Sequence, residues 1–248
     1  MKIVGIIPAR YASTRFPAKA LANINGKSMV QRVHEQSCKA KLLDNVVIAT
    51  DNKEIHDHCR SFGAEVCMTS DSHNSGTDRC MEALSLLKPA YDYVINIQGD
   101  EPFVQPEQID LLAAALDGSV QLATLIKKID NSSLLENKNV VKVIKNKLGQ
   151  AIYFSRTPIP YLRNLPSSDW PLHFDYFKHI GMYAYRADML KEVAQLAPSR
   201  LEQAESLEQL RWIENGYSIN VVETDIETIG IDTPEDLERA LSSKPSGR

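Results

Sequence analysis

The chain has 248 residues, 43% hydrophobic and 24% charged, enough to bury a core in one or two domains and too apolar for wholesale disorder. Its net charge of −4 hides an asymmetry: residues 1 to 34 hold Lys2, Arg10, Arg15, Lys19, Lys27 and Arg32 and no acid, while the rest carries 32 acids against 22 bases. A basic island on an acidic chain suits a local anionic ligand and argues against nucleic acid, whose binding domains are broadly basic.

The first predicted element, KIVGIIPA (2–9), is a short β-branched strand, far too short to span a membrane. With only Lys2 before it and Arg10 just after, it makes a poor secretory signal. SMVQRVHEQSCKA (28–40) predicts a helix with Met29, Val33 and Cys38 on one face. NVVIAT (45–50) reads as a buried strand, and Asn52 caps a helix that stops at Gly63. EVCMT (65–69) is a strand. Ser75-Gly76-Thr77-Asp78 has capping-box spacing and opens a helix through Leu87. YDYVINIQG (91–99) is a strand and PEQIDLLAAAL (106–116) a helix with Pro106 in its first turn. Near-continuous apolar strands alternating with helices predict an α/β fold with a doubly wound, mostly parallel sheet.

After residue 118 the rhythm changes. VQLATLIKKI, NVVKVIKN, AIYFSR and HIGMYAYR read as strands with few helices between them, an added mixed-sheet region. Residues 161–176 read as a long loop, followed by helices at 187–196 and 202–215 and the strand SINVVET. Thr233-Pro234-Glu235-Asp236 is a helix start, and the tail SSKPSGR reads as frayed. Cys38, Cys59, Cys67 and Cys80 form no CxxC pair, so reduced thiols and a cytoplasmic setting are expected.

Ligands of open α/β sheets bind beyond the carboxyl ends of the strands. Past the first strand, PARYASTRFPAK gathers Arg10, Arg15 and Lys19 with the hydroxyls of Ser13 and Thr14, a set that suits a polyphosphate. Neither GxGxxG nor GxxxxGKS/T occurs there, which argues against a nicotinamide-dependent oxidoreductase and a P-loop enzyme. Past the fourth strand, Gln98-Gly99-Asp100-Glu101-Pro102 makes Asp100 either a Mg²⁺ ligand or a turn acid; Asp232, before the last helix, has the same two readings. The Ser75 cap doubles as an anion site. His56 and His58, two apart on a helix, point to different faces and make no metal pair. Tyr183 and Tyr185 share a strand face, Glu208 and Arg211 are spaced to pair on a helix, and Trp212 reads as a core or dimer-face residue.

PARYASTRFPAK, NSGTDR, NIQGDEP, YFSR, KHIGMYAYR, ESLEQLRWIENG and GIDTPEDL together resemble the 3-deoxy-manno-octulosonate cytidylyltransferases, the bacterial CMP-Kdo synthetases, over roughly residues 2 to 240. The first motif alone is shared by the wider cytidylyltransferase group, including sialic-acid activators; HxGxY and LEQLR make the likeness specific. The family's first motif usually reads Gly where Ala18 stands and Pro where Ala20 stands, and Ala18 restricts φ more than Gly would.

The resemblance implies a Rossmann-like fold of the nucleotide-diphospho-sugar transferase type. CTP and a 3-deoxy-2-ulosonic acid (Kdo) would give CMP-sugar and diphosphate with Mg²⁺, for lipopolysaccharide assembly. It assigns Arg10, Ser13, Lys19, Ser75, Thr77, Arg79 and Gln98 to CTP, and Lys19, Asp100 and Arg15 to catalysis. Asp100 and Asp232 are the expected metal ligands. Gln98, Arg156, His179, Tyr183, Tyr185, Glu208 and Gln209 are the expected sugar contacts. The expected organisation is one domain over 1–248, with a nucleotide-binding core at about 1–118 and 218–242 and a sugar-binding and dimerisation region at about 119–217. Family members are typically homodimers. Another acidic sugar, such as sialic acid or an 8-amino Kdo analogue, stays open as substrate. So does a non-catalytic nucleotide-binding regulator, against which the presence of both acids speaks.

Overall fold

The computed structural model describes residues 1–12, 16–228 and 230–242. The expectations for Ser13, Thr14, Arg15 and the tail from 243 lie outside the described residues. The chain forms two compact units, Met1–Ala114 with Glu227–Arg248, and Ala115–Ile226.

The first unit runs β1 (Ile3–Ala9), the small hairpin β2 (Asn23–Ile24) and β3 (Lys27–Ser28), α1 (Met29–Ser37), β4 (Asn45–Thr50), α2 (Lys53–Ser61), β5 (Glu65–Met68), α3 (Gly76–Leu86), β6 (Tyr93–Asn96) and α4 (Pro106–Ala114). β1 pairs in parallel with β4 on one side and β6 on the other, and β5 extends the sheet beyond β4, also in parallel. Val4, Ile6, Ile7, Val47, Ile48, Val94 and Ile95 are all fully buried, as continuous apolar strands covered by helices require. The chain thus steps from β1 through β4 to β5, then doubles back to β6, which puts a topological switch point between the ends of β1 and β6.

Local chemistry sets the helix starts. The side chains of Ser28, Asn52 and Ser75 accept from the N–H groups of Gln31, Ile55 and Asp78, and Asp78 returns a bond to Ser75, completing the capping box. One helical face differs from expectation. Met29, Val30, Val33 and Ser37 are buried on α1, and Cys38 lies exposed past its end. The Ser37 hydroxyl tolerates burial because it donates to the Val33 carbonyl at 2.7 Å.

The second unit holds β7 (Leu122–Ile129), α5 (Ser132–Glu136), β8 (Lys142–Lys145), β9 (Ala151–Ser155), α6 (Trp170–His173), β10 (Tyr176–Arg186), α7 (Ala187–Val193), α8 (Arg200–Glu205), α9 (Gln209–Glu214) and β11 (Ile219–Glu223). Its sheet is mixed: β10 is antiparallel to β7 and β8, β8 to β9, while β11 runs parallel to β7. Three expectations are corrected here. The loop at 161–176 contains a 3-10 turn and α6, folded around Trp170, which stacks on Tyr176 inside a cluster with Ile129 and Leu135. The helix expected at 202–215 is two helices, broken at Ser206, whose backbone is left-handed (φ 53°). The strand SINVVET pairs with β7 and belongs to the second unit, so the core resumes at 227 rather than 218.

From Glu227 the chain is again part of the first unit and ends in α10 (Pro234–Ser242). Thr233 Oγ1 accepts from the Asp236 N–H and the Asp236 carboxylate accepts from the Thr233 N–H, a reciprocal cap. Among the described residues no helix is long and apolar enough to cross a membrane.

Candidate active site

A cavity of about 280 Å³ opens in the first unit where β1 and β6 end, bordered by Pro8–Arg10, Lys19, His73–Gly76, Gln98–Asp100 and Asp232. Gly99 makes this geometry possible: a Cβ there would sit 2.5 Å from the Pro8 carbonyl oxygen, so only glycine lets the loop after β6 cross the end of β1 this closely.

Three residues far apart in sequence converge at this cavity. Lys19 Nζ donates to Asp100 Oδ2 at 2.7 Å and to Asp232 Oδ1 at 3.2 Å. Lys19 opens a short 3-10 turn (Lys19–Leu21) that follows Ala18, whose φ of 54° is left-handed. That conformation is costly for a residue with a Cβ. Asp100 comes from the loop after β6. Asp232 is delivered by packing: fully buried Ile231 clusters with Ile24 and Met29, and its N–H donates to the Asp100 carbonyl at 2.9 Å. Next to Asp100, the Glu101 carboxyl is pushed up to about 7 by burial and by the Asp100 charge, against the Thr228 hydroxyl that donates to it at 3.1 Å.

The α3 start forms one wall. Ser75 borders the cavity, while Thr77 is buried behind it. Arg79 reaches the wall, but its guanidinium is paired: it donates to Asp51 Oδ2 at 2.6 Å, to Thr69 Oγ1 at 2.5 Å and to the Ser70 carbonyl at 3.2 Å. It therefore clamps the ends of β4 and β5 to α3. His73, which the sequence reading passed over, also borders the cavity and is braced by Glu82 through Nε2. The Ser70 N–H, with His73 adding to it, holds the Glu82 carboxyl below its ordinary range. The available signal was position alone, two residues before the Ser75 cap.

Arg10, Lys19, Ser75, Arg79, Gln98, Asp100 and Asp232 are thus brought together in the first unit, and Ser13 and Arg15 lie outside the described residues.

The remaining candidates belong to the second unit. Arg156 follows β9 and staples the helix break: Nε donates to the Glu205 carbonyl at 2.7 Å, Nη2 to the Ser206 carbonyl at 3.2 Å and Nη1 to the Lys138 carbonyl at 3.3 Å. Three of the five N–H donors of a guanidinium serve the backbone in these bonds. His179, Tyr183 and Tyr185 lie in a row on β10, with ring centroids 5.1 and 6.0 Å apart, around a bulge between Ile180 and Tyr183. Thr124 Oγ1 donates to the Met182 carbonyl at 2.8 Å inside that bulge, and His179 Nε2 lies within hydrogen-bond distance of the same hydroxyl, at 2.9 Å. Burial pushes the His179 imidazole down to about 3 and the Tyr183 hydroxyl well above its ordinary value, so both stay neutral. Glu208 precedes α9 and Gln209 is buried in its first turn. Arg211 pairs with Glu202, Nη2 to Oε1 at 2.5 Å.

The sequence profile of the cytidylyltransferases matches residues 4–226, and the chain belongs to that family. It is 55% identical to a 3-deoxy-manno-octulosonate cytidylyltransferase of Parabacteroides distasonis over 98% of each chain. It is 56% identical to one of Cytophaga hutchinsonii over 96% of each. The solved structure of a CMP:2-keto-3-deoxy-manno-octonic acid synthetase complexed with CTP is similar to it with a TM-score of 0.90 and 40% identity, covering 97% of both chains.

Proposed function

We propose that this chain transfers the cytidylyl group of CTP to 3-deoxy-D-manno-octulosonate, giving CMP-Kdo and diphosphate, as a cytoplasmic enzyme supplying lipopolysaccharide assembly. One observation carries the reading: the Lys19 ammonium held between the carboxylates of Asp100 and Asp232 beside the switch point of a parallel sheet. Cation, acids and a helix N-terminus in one cavity are what a nucleoside triphosphate and a divalent ion need.

The donor set fits Mg²⁺. Asp100 and Asp232 offer hard oxygens already close enough to share one cation. Among the described residues no group of three or more His, Cys, Asp or Glu is placed to hold a metal. Two carboxylates fall short of a full shell, so an ion here would complete it with phosphate oxygens and water and arrive with the nucleotide. When bound, the ion supplies positive charge against the phosphates and polarises the reacting oxygens.

The rest falls to the protein. The anomeric hydroxyl oxygen forms a bond to the α-phosphorus and releases its proton to water, the bond from the α-phosphorus to the oxygen bridging to the β-phosphate breaks, and diphosphate leaves with that oxygen. Negative charge grows on the leaving oxygens, and Arg10 and Lys19 neutralise it. Lys19 exchanges its carboxylate partners for phosphate oxygens as the nucleotide enters. Ser75 and Gln98 hold the nucleotide, and Arg79 supports the wall they stand on. In the second unit, Arg156, His179, Tyr183, Tyr185, Glu208 and Gln209 receive the acidic sugar, where the neutral imidazole and phenols match hydroxyl groups. This unit also forms a homodimer, a reading supported by its exposed apolar side chains Leu148, Tyr161 and Leu172.

The test is diphosphate release with each nucleoside triphosphate against a panel of ulosonic acids, with and without EDTA. CTP with Kdo should give the highest turnover, and EDTA should abolish it. Equal turnover with ATP, full activity in EDTA, or a preference for another acidic sugar would each overturn the corresponding part.

A further inference from the structure

Two side-chain atoms of the second unit are buried without a hydrogen-bond partner: Tyr183 Oη and Trp212 Nε1. Trp212 is fully buried on α9, and its indole stands edge-on to both Tyr183 (5.1 Å between centroids, 83°) and Tyr185 (5.6 Å, 81°). It follows Gln209 by three positions, so both occupy one helical face, and Gln209 is buried as well. The charge of Glu208 is felt at the Tyr183 hydroxyl. The Trp212 ring therefore packs among the residues to which the proposed function gives the sugar.

Packing alone would be served by phenylalanine at both positions, without two polar atoms whose burial unpaired costs free energy. Orphaned polar groups of this kind call for an explanation, and a partner that arrives with the ligand supplies one. An indole N–H can only donate, so its missing partner is an acceptor such as a hydroxyl or carboxylate oxygen. We infer that Trp212 is a specificity-determining residue for the acidic sugar, its indole N–H and the Tyr183 hydroxyl being paired by sugar oxygens on binding. This rests on the reading of the second unit as the sugar-binding region.

Trp212→Phe and Tyr183→Phe each remove one polar atom and keep a ring. For both, and for the unaltered chain, apparent KM is measured for Kdo and for CTP, and Tm is measured with and without Kdo. The expected result is a Kdo KM raised about 3- to 10-fold, a CTP KM within about twofold, no loss of Tm in the free protein, and a smaller Kdo-induced rise in Tm. An unchanged Kdo KM and unchanged Kdo-induced rise in Trp212→Phe would overturn the inference, whatever the free Tm does, and would mean the N–H is satisfied within the protein, for example against a tyrosine ring. A second measurement covers failure of that variant to fold. Trp170→Phe leaves Trp212 as the sole tryptophan, and its fluorescence should respond to Kdo and not to CTP; no response to Kdo overturns the inference. If the unaltered chain neither uses nor is stabilised by Kdo, the proposed function fails and takes this inference with it. If the unaltered chain responds and Trp212→Phe responds equally, only the inference fails.

Discussion

The two units build polar sites by opposite means. The first sets charges on loops: Lys19, Asp100 and Asp232 come from the ends of elements, and their side chains are 16%, 32% and 49% exposed. The second places uncharged groups on elements, His179, Tyr183 and Tyr185 on one strand and Gln209 and Trp212 on one helix, with burial suppressing the ionisation of His179 and Tyr183. Partly exposed charges contribute little to stability and can be spent on a reaction. Buried polar groups paired within the protein are bound up with the fold, so changing them disturbs stability together with binding. Substitutions in the first unit should therefore cost rate without stability; those in the second that break a hydrogen bond within the protein should cost both stability and sugar affinity, whereas removing the unpaired Tyr183 Oη or Trp212 Nε1 should cost sugar affinity alone.

Asp100→Asn should have the largest effect. An amide cannot replace an anionic ligand for a hard cation, so turnover should fall about 10³-fold, on the order of 4 kcal/mol, while CTP binding stays measurable and Tm shifts little. Diphosphate release and calorimetric CTP titration check it. Near-normal turnover would reduce Asp100 to a turn residue.

Arg156→Ala should break the pattern from the other side. Loss of the bonds to the Glu205, Ser206 and Lys138 carbonyls should lower stability by ~2–4 kcal/mol and raise the sugar KM ~10- to 100-fold. Urea unfolding and steady-state kinetics separate these. A stable variant with a purely CTP-specific defect would remove Arg156 from the second unit's site.

The second unit should also be acid-sensitive. Folding lowers the His179 pKa from 6.5 to about 3, so between those values the unfolded chain binds the extra proton. The contribution is fully present above the upper value and is lost as pH falls, by up to ~1.4 kcal/mol per pH unit. His179→Gln should flatten that part of the profile in urea unfolding at pH 7 and 5; an unaltered slope would place the acid sensitivity elsewhere.

The smallest effect is expected at Ala18, held at a φ of 54°. Ala18→Gly relieves the left-handed strain but frees the unfolded chain, for a net gain of about 0.5–1 kcal/mol and a Tm rise of ~1–4 °C. A lower Tm would mean the alanine methyl is needed for packing.

The same contrast explains what the sequence disclosed. The parallel sheet was legible because its strands are continuous apolar runs such as NVVIAT, and the Ser75 cap because its bonds are local. The charged site was legible because chemistry follows strand ends: Arg10 after β1 and Asp100 after β6. Asp232 could be proposed, but what brings it to Asp100 is the burial of Ile231 against Ile24 and Met29, which no local pattern encodes. The break at Ser206 was hidden for a similar reason. Residues 202–215 are good helix formers, and the left-handed serine persists because Arg156, fifty residues earlier, binds the carbonyls on either side. Resemblance to a family named the second unit's candidates; the bulge and bonds that orient them depend on pairing between β7 and β10.

The division of labour is tested most directly by steady-state kinetics of Lys19→Ala and Gln209→Ala, varying one substrate at a time. Lys19→Ala should lower kcat at least ~10²-fold, about 3 kcal/mol of lost charge stabilisation, with the Kdo KM near normal. Gln209→Ala should raise the Kdo KM and leave the CTP KM unchanged. Defects of both variants in the same substrate, or a Gln209→Ala defect confined to CTP, would contradict the account.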